Sequence, residues 1–184
     1  MFDTMVSPIP GVVELKPKVH TDPRGRLVKV FHKGTFRELG FTDHFDEAFY
    51  SVSGRNVLRG LHFQNPPYEH AKLVTCVTGS VWDVALDLRN GSPTFGSHFF
   101  LTLSSKMGNV VYLPAGLAHG FCVLEAPAVV LYFASSVHAP EFDSGVRWDS
   151  AGIEWPIHNP EVSARDCSLP HFDEFASPFV YNRY

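Results

Sequence analysis

The sequence predicts an all-β fold, a sandwich or a jelly roll, and three observations predict it. Gly and Pro each occur 14 times in 184 residues, aromatic residues make up 14% of the chain with 16 Phe, and short apolar runs recur between turn residues. Aromatic and β-branched side chains fit a pleated, half-buried surface, while Gly and Pro end each strand by imposing turn geometry. Long helices are scarce, so the core has to be built between sheets.

In chain order, strands are expected at residues 26–31, 57–63, 71–77, 77–88, 98–103, 110–113, 119–124 and 128–135, with one short helix at 35–39 that Gly40 ends. The segment 77–88 alternates small or polar residues with apolar ones, the mark of a half-buried strand. Pro66-Pro67, Asn90-Gly91, Pro114, Pro127 and Pro140 punctuate the series. From Val146 onward, prolines and aromatics without periodicity describe a segment that wraps the barrel or a neighbouring subunit. With 45% hydrophobic and 18% charged residues and no linker or repeat, residues 1–184 read as one globular domain.

Charge and composition exclude several classes. The net charge is −4, and no basic run offers a surface that tracks phosphates, so polymeric nucleic acid is not an expected partner. No apolar run approaches the ~20 residues of a membrane-spanning helix, and Met1 to Pro10 lacks the basic start and apolar stretch of a leader. The expected location is the cytoplasm, with no membrane partner. Cys76, Cys122 and Cys167 are odd in number, and the first two sit in apolar runs, so they read as reduced core residues.

Ten histidines raise the question of a metal site, since imidazole is a common transition-metal ligand. Gly108, Pro114, Gly116 and His119 are spaced as in the second half of the metal-binding pattern of cupin barrels, and this segment resembles that superfamily. The first half of the pattern supplies His-x-His and then a Glu separated by six residues from a Gly. Here the matching residues are His62-Phe63-Gln64 and Lys72, which six residues separate from Gly79. An amide replaces one ligand, and an ammonium replaces the carboxylate, which repels a divalent cation. The barrel is retained and the metal is not expected.

What remains is a histidine and a lysine on adjacent strands. Period-two alternation aims Leu58, Gly60 and His62 at one face, and Lys72 and Val74 at the same face from the next strand. Alone, His62 reads as a hydrogen-bonded core residue and Lys72 as a surface charge. Together they suit proton abstraction beside a carbonyl, with the histidine as base and the ammonium stabilising the enolate oxygen. Asp83, on the strand after Lys72, is either a supporting carboxylate or an ordinary ladder residue.

The motifs as a set resemble the dTDP-4-dehydrorhamnose 3,5-epimerase family. They run in order from about Gly11 to Pro170: Asp22-x-Arg24-Gly25, Asn56 through Gln64, Lys72-Leu73-Val74, Trp82 through Arg89, Ser92 through Gly96, Pro114 through Phe121, and Trp155-Pro156. The resemblance implies a cupin-type jelly roll, a homodimer, no cofactor, and a nucleotide-linked 4-keto-6-deoxyhexose as small-molecule substrate. It further implies that His62 is the base oriented by Asp166, that Lys72 faces the 4-keto oxygen, and that Tyr132 returns a proton on the opposite face of the sugar. A 4-ketone acidifies the hydrogens on C3 and C5, so the chemistry is coherent. Arg24 and Arg59 match diphosphate contacts, for which guanidinium forks are suited. His119 matches a further pocket residue, and Gln64 is counted with the substrate-binding set.

The sequence departs from the family in two places. After Arg24-Gly25, two aromatics and an acidic residue become Arg26-Leu27-Val28-Lys29, and the usual Gln-x-Asn-x-Ser-x-Ser becomes Glu47-Ala48-Phe49-Tyr50-Ser51-Val52-Ser53. Lys29 and Glu47 change the donors and acceptors offered to the nucleotide base, so CDP and GDP stand beside dTDP, unless the two residues pair with each other. His138 stands where the family often carries a tyrosine lining the sugar pocket. Losing that phenol points to inversion at C3 alone, with double inversion at C3 and C5 left open. Outside epimerase chemistry, a sugar 3,4-ketoisomerase would lack the paired His62 and Lys72 motifs, and a metal oxygenase would need ligands that this chain replaces. A non-catalytic nucleotide-sugar-binding module would have no use for His62, Asp166, Lys72 and Tyr132 together.

Overall fold

A computed structural model describes residues 2–182. In chain order the strands are β1 (Phe2–Val6), β2 (Val13–Pro17), β3 (Val19–Asp22), β4 (Gly25–Val28), β5 (Glu47–Ser53), β6 (Leu58–Gln64), β7 (Lys72–Asp87), β8 (His98–Ser104), β9 (Val110–Leu113), β10 (Leu117–Ala134) and β11 (Asp143–Gly145). Two short helices, α1 (Lys33–Glu38) and α2 (Ala164–Cys167), and one 3-10 turn (Phe172–Glu174) complete the set.

The frame is the antiparallel pair of long strands, β7 and β10, matched from Lys72↔Ala134 to Asp87↔Leu117. Each changes outer neighbour halfway along. Residues 72–75 of β7 pair with β9 and residues 80–86 with β8, while residues 128–134 of β10 pair with β5 and residues 119–122 with β6. One half is therefore the sheet β1-β2-β9-β7-β10-β5 and the other is β8-β7-β10-β6-β11. This is the jelly-roll architecture that the sequence predicts. Val74, Cys76 and Val130 from the first half meet Val81, Phe121 and Val123 from the second in the main core.

The sequence predicts four strands where the molecule has β7 and β10. Pro127 does not break β10 because it falls where the register shifts, between Glu125↔Ser80 and Val129↔Thr78, and no ladder bond is asked of it. The second half of β7 is also more buried than a half-exposed strand. The segment after Val146 lies on its outer face, where Ile153, Trp155, Phe172, Phe175 and Phe179 pack on Val84, Leu86 and Leu88. The segment thus wraps this chain's own barrel, and each fully buried Leu there contributes ~1.5–3 kcal/mol relative to exposure. The expected strand at 26–31 is the shorter β4, paired only with β3 in a separate two-stranded sheet. Cys76 and Cys122 are buried and Cys167 is exposed, all three as free thiols. Among the described residues no helix is long and apolar enough to cross a membrane.

One contact sets the geometry of the second sheet. A Cβ on Gly60 would lie 2.6 Å from the Gly120 Cα, and one on Gly120 would lie 2.7 Å from the Arg59 carbonyl oxygen, so β6 and β10 touch backbone to backbone. Gly60 also has a φ of +132°, which side-chain-bearing residues rarely adopt. Gly60→Ala is expected to lower the unfolding free energy by roughly 2–5 kcal/mol, adding strain to overpacking, in urea denaturation. Gly54→Ala is the control, since nothing lies within 4 Å of its missing Cβ, and a change within about 0.5 kcal/mol is expected there.

Candidate active site

Because β6 and β10 meet at glycines, His62 and His119 become direct partners across the two strands. Each histidine has its own carboxylate. His62 Nε2 lies 2.8 Å from Asp166 Oδ1, and the other oxygen, Oδ2, accepts from the Gly60 backbone N–H at 3.1 Å. Asp166 comes from the wrapping segment: Ser163 caps α2 by accepting from the Asp166 N–H, which fixes that single turn against β6. Burial pulls the Asp166 carboxyl up, but the His62 hydrogen bond and charge and the Gly60 bond outweigh it and hold its pKa below the ordinary carboxylate value. An ionised Asp166 takes the Nε2–H and leaves Nδ1 of His62 as the lone pair for the cavity.

His119 Nε2 lies 2.8 Å from Asp83 Oδ2, with both side chains buried. Tyr132 stands beside it, its ring edge-on to His119 at 6.1 Å and stacked on Phe49 at 4.7 Å. The Tyr132 hydroxyl pairs with the Ser51 hydroxyl at 3.4 Å, and burial pushes its pKa well up, so it is held as a proton-bearing phenol. The Lys72 ammonium donates to the His62 carbonyl at 3.2 Å. Desolvation pulls its pKa down to about 8 against the opposing charges of Asp143 and Asp83. His62, His119, Tyr132 and Lys72 line one cavity of about 340 Å³ together with Arg59, whose Nε donates to Ser53.

A base held by a carboxylate, a desolvated ammonium and a buried phenol around one cavity are the parts required for moving a proton at a carbon beside a carbonyl. Comparison with known proteins places the chain in a family. The model of the dTDP-4-dehydrorhamnose 3,5-epimerase family matches residues 6–174. The chain belongs to this family. It is 40% identical over 178 residues to the dTDP-4-dehydrorhamnose 3,5-epimerase of Salmonella typhimurium, covering 95% of this chain and 97% of that one. It is also 40% identical to a dTDP-4-dehydrorhamnose 3-epimerase of Streptomyces niveus over 161 residues, 86% of this chain and 78% of that one. Among solved structures it superimposes with a TM-score of 0.94 on the dTDP-6-deoxy-D-glucose-3,5-epimerase of Legionella pneumophila in complex with dTDP-4-keto-L-rhamnose, at 31% identity and 99% and 100% coverage.

Of the residues singled out in this family member's sequence, the cavity gathers His62, Lys72, Tyr132, Arg59, His119, Glu47, His138 and Gln64, with Asp166 behind His62. Gln64 is committed to structure. Its Nε2 donates to the Tyr68 and Val137 carbonyls at 2.8 and 3.2 Å, and its Oε1 accepts from the Ala139 N–H at 2.7 Å. Gln64 therefore braces the loops around the cavity that it also lines. Glu47 accepts from the His138 N–H at 2.8 Å and makes no ion pair with Lys29 among the described residues. Arg24 and Lys29 are not in this chain's cavity: Arg24 is exposed at the tip of the β3–β4 hairpin, bound to Asp22 at 2.5 Å, and Lys29 comes just after that hairpin.

The family member's cavity also holds residues that the sequence did not single out. Phe49 and Ser51 share the face of Glu47 by period two on β5, a signal present in the alternation. His70, Asp143 and Arg165 come from a loop, a three-residue strand and a one-turn helix, where no periodicity exists to find them. A larger cleft of about 740 Å³ lies elsewhere, walled by Tyr112, Phe41, Phe179 and Arg89. Its Arg89 is spent on Asp87 at 2.8 and 2.9 Å and on the Pro10 carbonyl, so volume alone would choose the wrong site.

Two groups of the cavity make stability depend on pH. Desolvation and the Lys72 charge push His70 down to about 3 from 6.5, so the unfolded chain binds the extra proton between those values. Stability is expected to fall as pH drops below 6.5, by up to about 1.4 kcal/mol per pH unit from this group, and His70→Gln should flatten that slope in urea titrations. Lys72 has the opposite limb: between about 8 and 10.5 the unfolded chain holds the proton and the folded one does not, so this group makes the fold more stable as pH rises there.

Proposed function

We propose that the chain is a cofactor-independent epimerase of deoxysugar biosynthesis that inverts C3, or C3 and C5, of a nucleoside-diphosphate-linked 4-keto-6-deoxyhexose. The observation that carries this reading is the convergence of His62 on Asp166, Lys72 and Tyr132 around one cavity. His62 Nδ1 takes the proton from the carbon beside the ketone, and the C–H electrons move onto the 4-keto oxygen. Lys72 neutralises that enolate oxygen. Tyr132 then gives its phenolic proton to the opposite face of the same carbon, leaving an imidazolium and a phenolate that exchange protons with solvent. Arg59 is the diphosphate contact.

The number of centres inverted is not set by identity, because the 3,5-epimerase of Salmonella typhimurium and the 3-epimerase of Streptomyces niveus are both 40% identical to this chain. His138 in the cavity favours inversion at C3 alone. Lys29 and Glu47 favour a base other than thymine, with CDP and GDP beside dTDP. A homodimer would reconcile the diphosphate role of Arg24 with its place outside this cavity. The β3–β4 hairpin stands off the barrel as its own sheet with Leu27 exposed, and a second copy would receive it at the mouth of its cavity.

Proton NMR in D2O with CDP-, GDP- and dTDP-linked 4-keto-6-deoxyglucose tests the chemistry. Deuterium is expected at C3 with one of the three, and incorporation at C5 with a doubly inverted product would displace the single-centre reading. His62→Asn should lose exchange by about 10²–10⁴-fold, whereas Tyr132→Phe should keep exchange and lose net inversion. The rate should also fall as pH rises through about 8, where Lys72 loses its charge while the fold persists. Mixing inactive Arg24→Ala and His62→Asn chains should restore about a quarter of the wild-type activity, since half the dimers are mixed and one of their two sites is intact. No restoration would remove the shared-site dimer.

A further inference from the structure

We propose that Asp83 is a positioning residue of this reaction: its carboxylate locks the His119 ring so that Nδ1 faces the cavity and accepts a hydrogen bond from a sugar hydroxyl. The inference rests on the epimerase reading above. A purely structural pairing is the competing account, and the oxygens decide between them. Among the buried carboxylates, Asp87 fills both oxygens with Arg89, Ser92 and Thr94, and Asp166 fills both with His62 and Gly60. Asp83 is fully buried, spends Oδ2 on His119, and leaves Oδ1 buried with no donor. An oxygen left so is costly, and a carboxylate kept only for cohesion would be matched like Asp87. What the arrangement does instead is fix one ring. With Nε2–H committed to Asp83, the remaining nitrogen of His119 is a lone pair beside Tyr132 and opposite His62, in the wall of the cavity.

The test is a double-mutant cycle with Asp83→Asn, which keeps shape and removes the charge. The expected result is a kcat lower by about 10–100-fold with KM for the nucleotide sugar nearly unchanged. In a His119→Gln background the same substitution should add almost nothing, because Asp83 acts through that ring. A cost equal in both backgrounds, or an unchanged kcat, would overturn the proposal. Should Asp83→Asn fail to fold, nitrogen-15 NMR of the wild-type imidazoles decides: His119 must carry its proton on Nε2, and a proton on Nδ1 alone would sink the idea. If the wild type exchanges no deuterium with any of the three sugar nucleotides, the epimerase reading fails, and the imidazole spectrum still tests the Asp83 lock on its own.

Discussion

The contact between Gly60 and Gly120 determines most of the site's geometry. With side chains at either position β6 and β10 would stand apart, His62 and His119 would no longer oppose each other, and the Gly60 N–H would not reach Asp166. One missing pair of methyl groups thus sets the spacing of two histidines, the anchoring of one carboxylate and the depth of the cavity between them. Glycine here is a distance constraint as much as a conformational one.

The groups collected by that constraint are poor stabilisers. Taking a histidine and a carboxylate out of water costs solvation that their attraction repays only partly, and Lys72 and His70 are both held away from their ordinary titration ranges by desolvation. Cohesion comes from elsewhere. It lies in the apolar interior between the two sheets and in the aromatic segment laid over Val84, Leu86 and Leu88. A rigid shell of that kind is what lets strained electrostatics persist at the site.

Much of the molecule was legible in the sequence, and the failures have physical causes. The fold class came from turn residues and short apolar runs, and the pairing of His62 with Lys72 came from period two. The merging of strands into β7 and β10 was not legible, because a proline at a register shift looks the same in sequence as a proline in a turn. Strand β5 was missed because its apolar residues, Ala48, Phe49, Tyr50 and Val52, fall on both faces and mark no buried side. Asp166 was reached only through family resemblance: it lies 104 positions from His62, and nothing local announces a contact over that separation. Arg24 and Lys29 sit outside this chain's cavity, at and just after a two-stranded hairpin whose placement no local pattern announces.

The segment after Val146 covers the second sheet and also carries Asp166, so one stretch of backbone has two duties. During synthesis a ribosome makes His62 long before Asp166, the carboxylate with which its ring pairs. Until this belt is laid down, His62 lacks the carboxylate that holds its ring. A cut in the belt ahead of Asp166 would take that partner from His62 and leave every strand of the barrel unbroken.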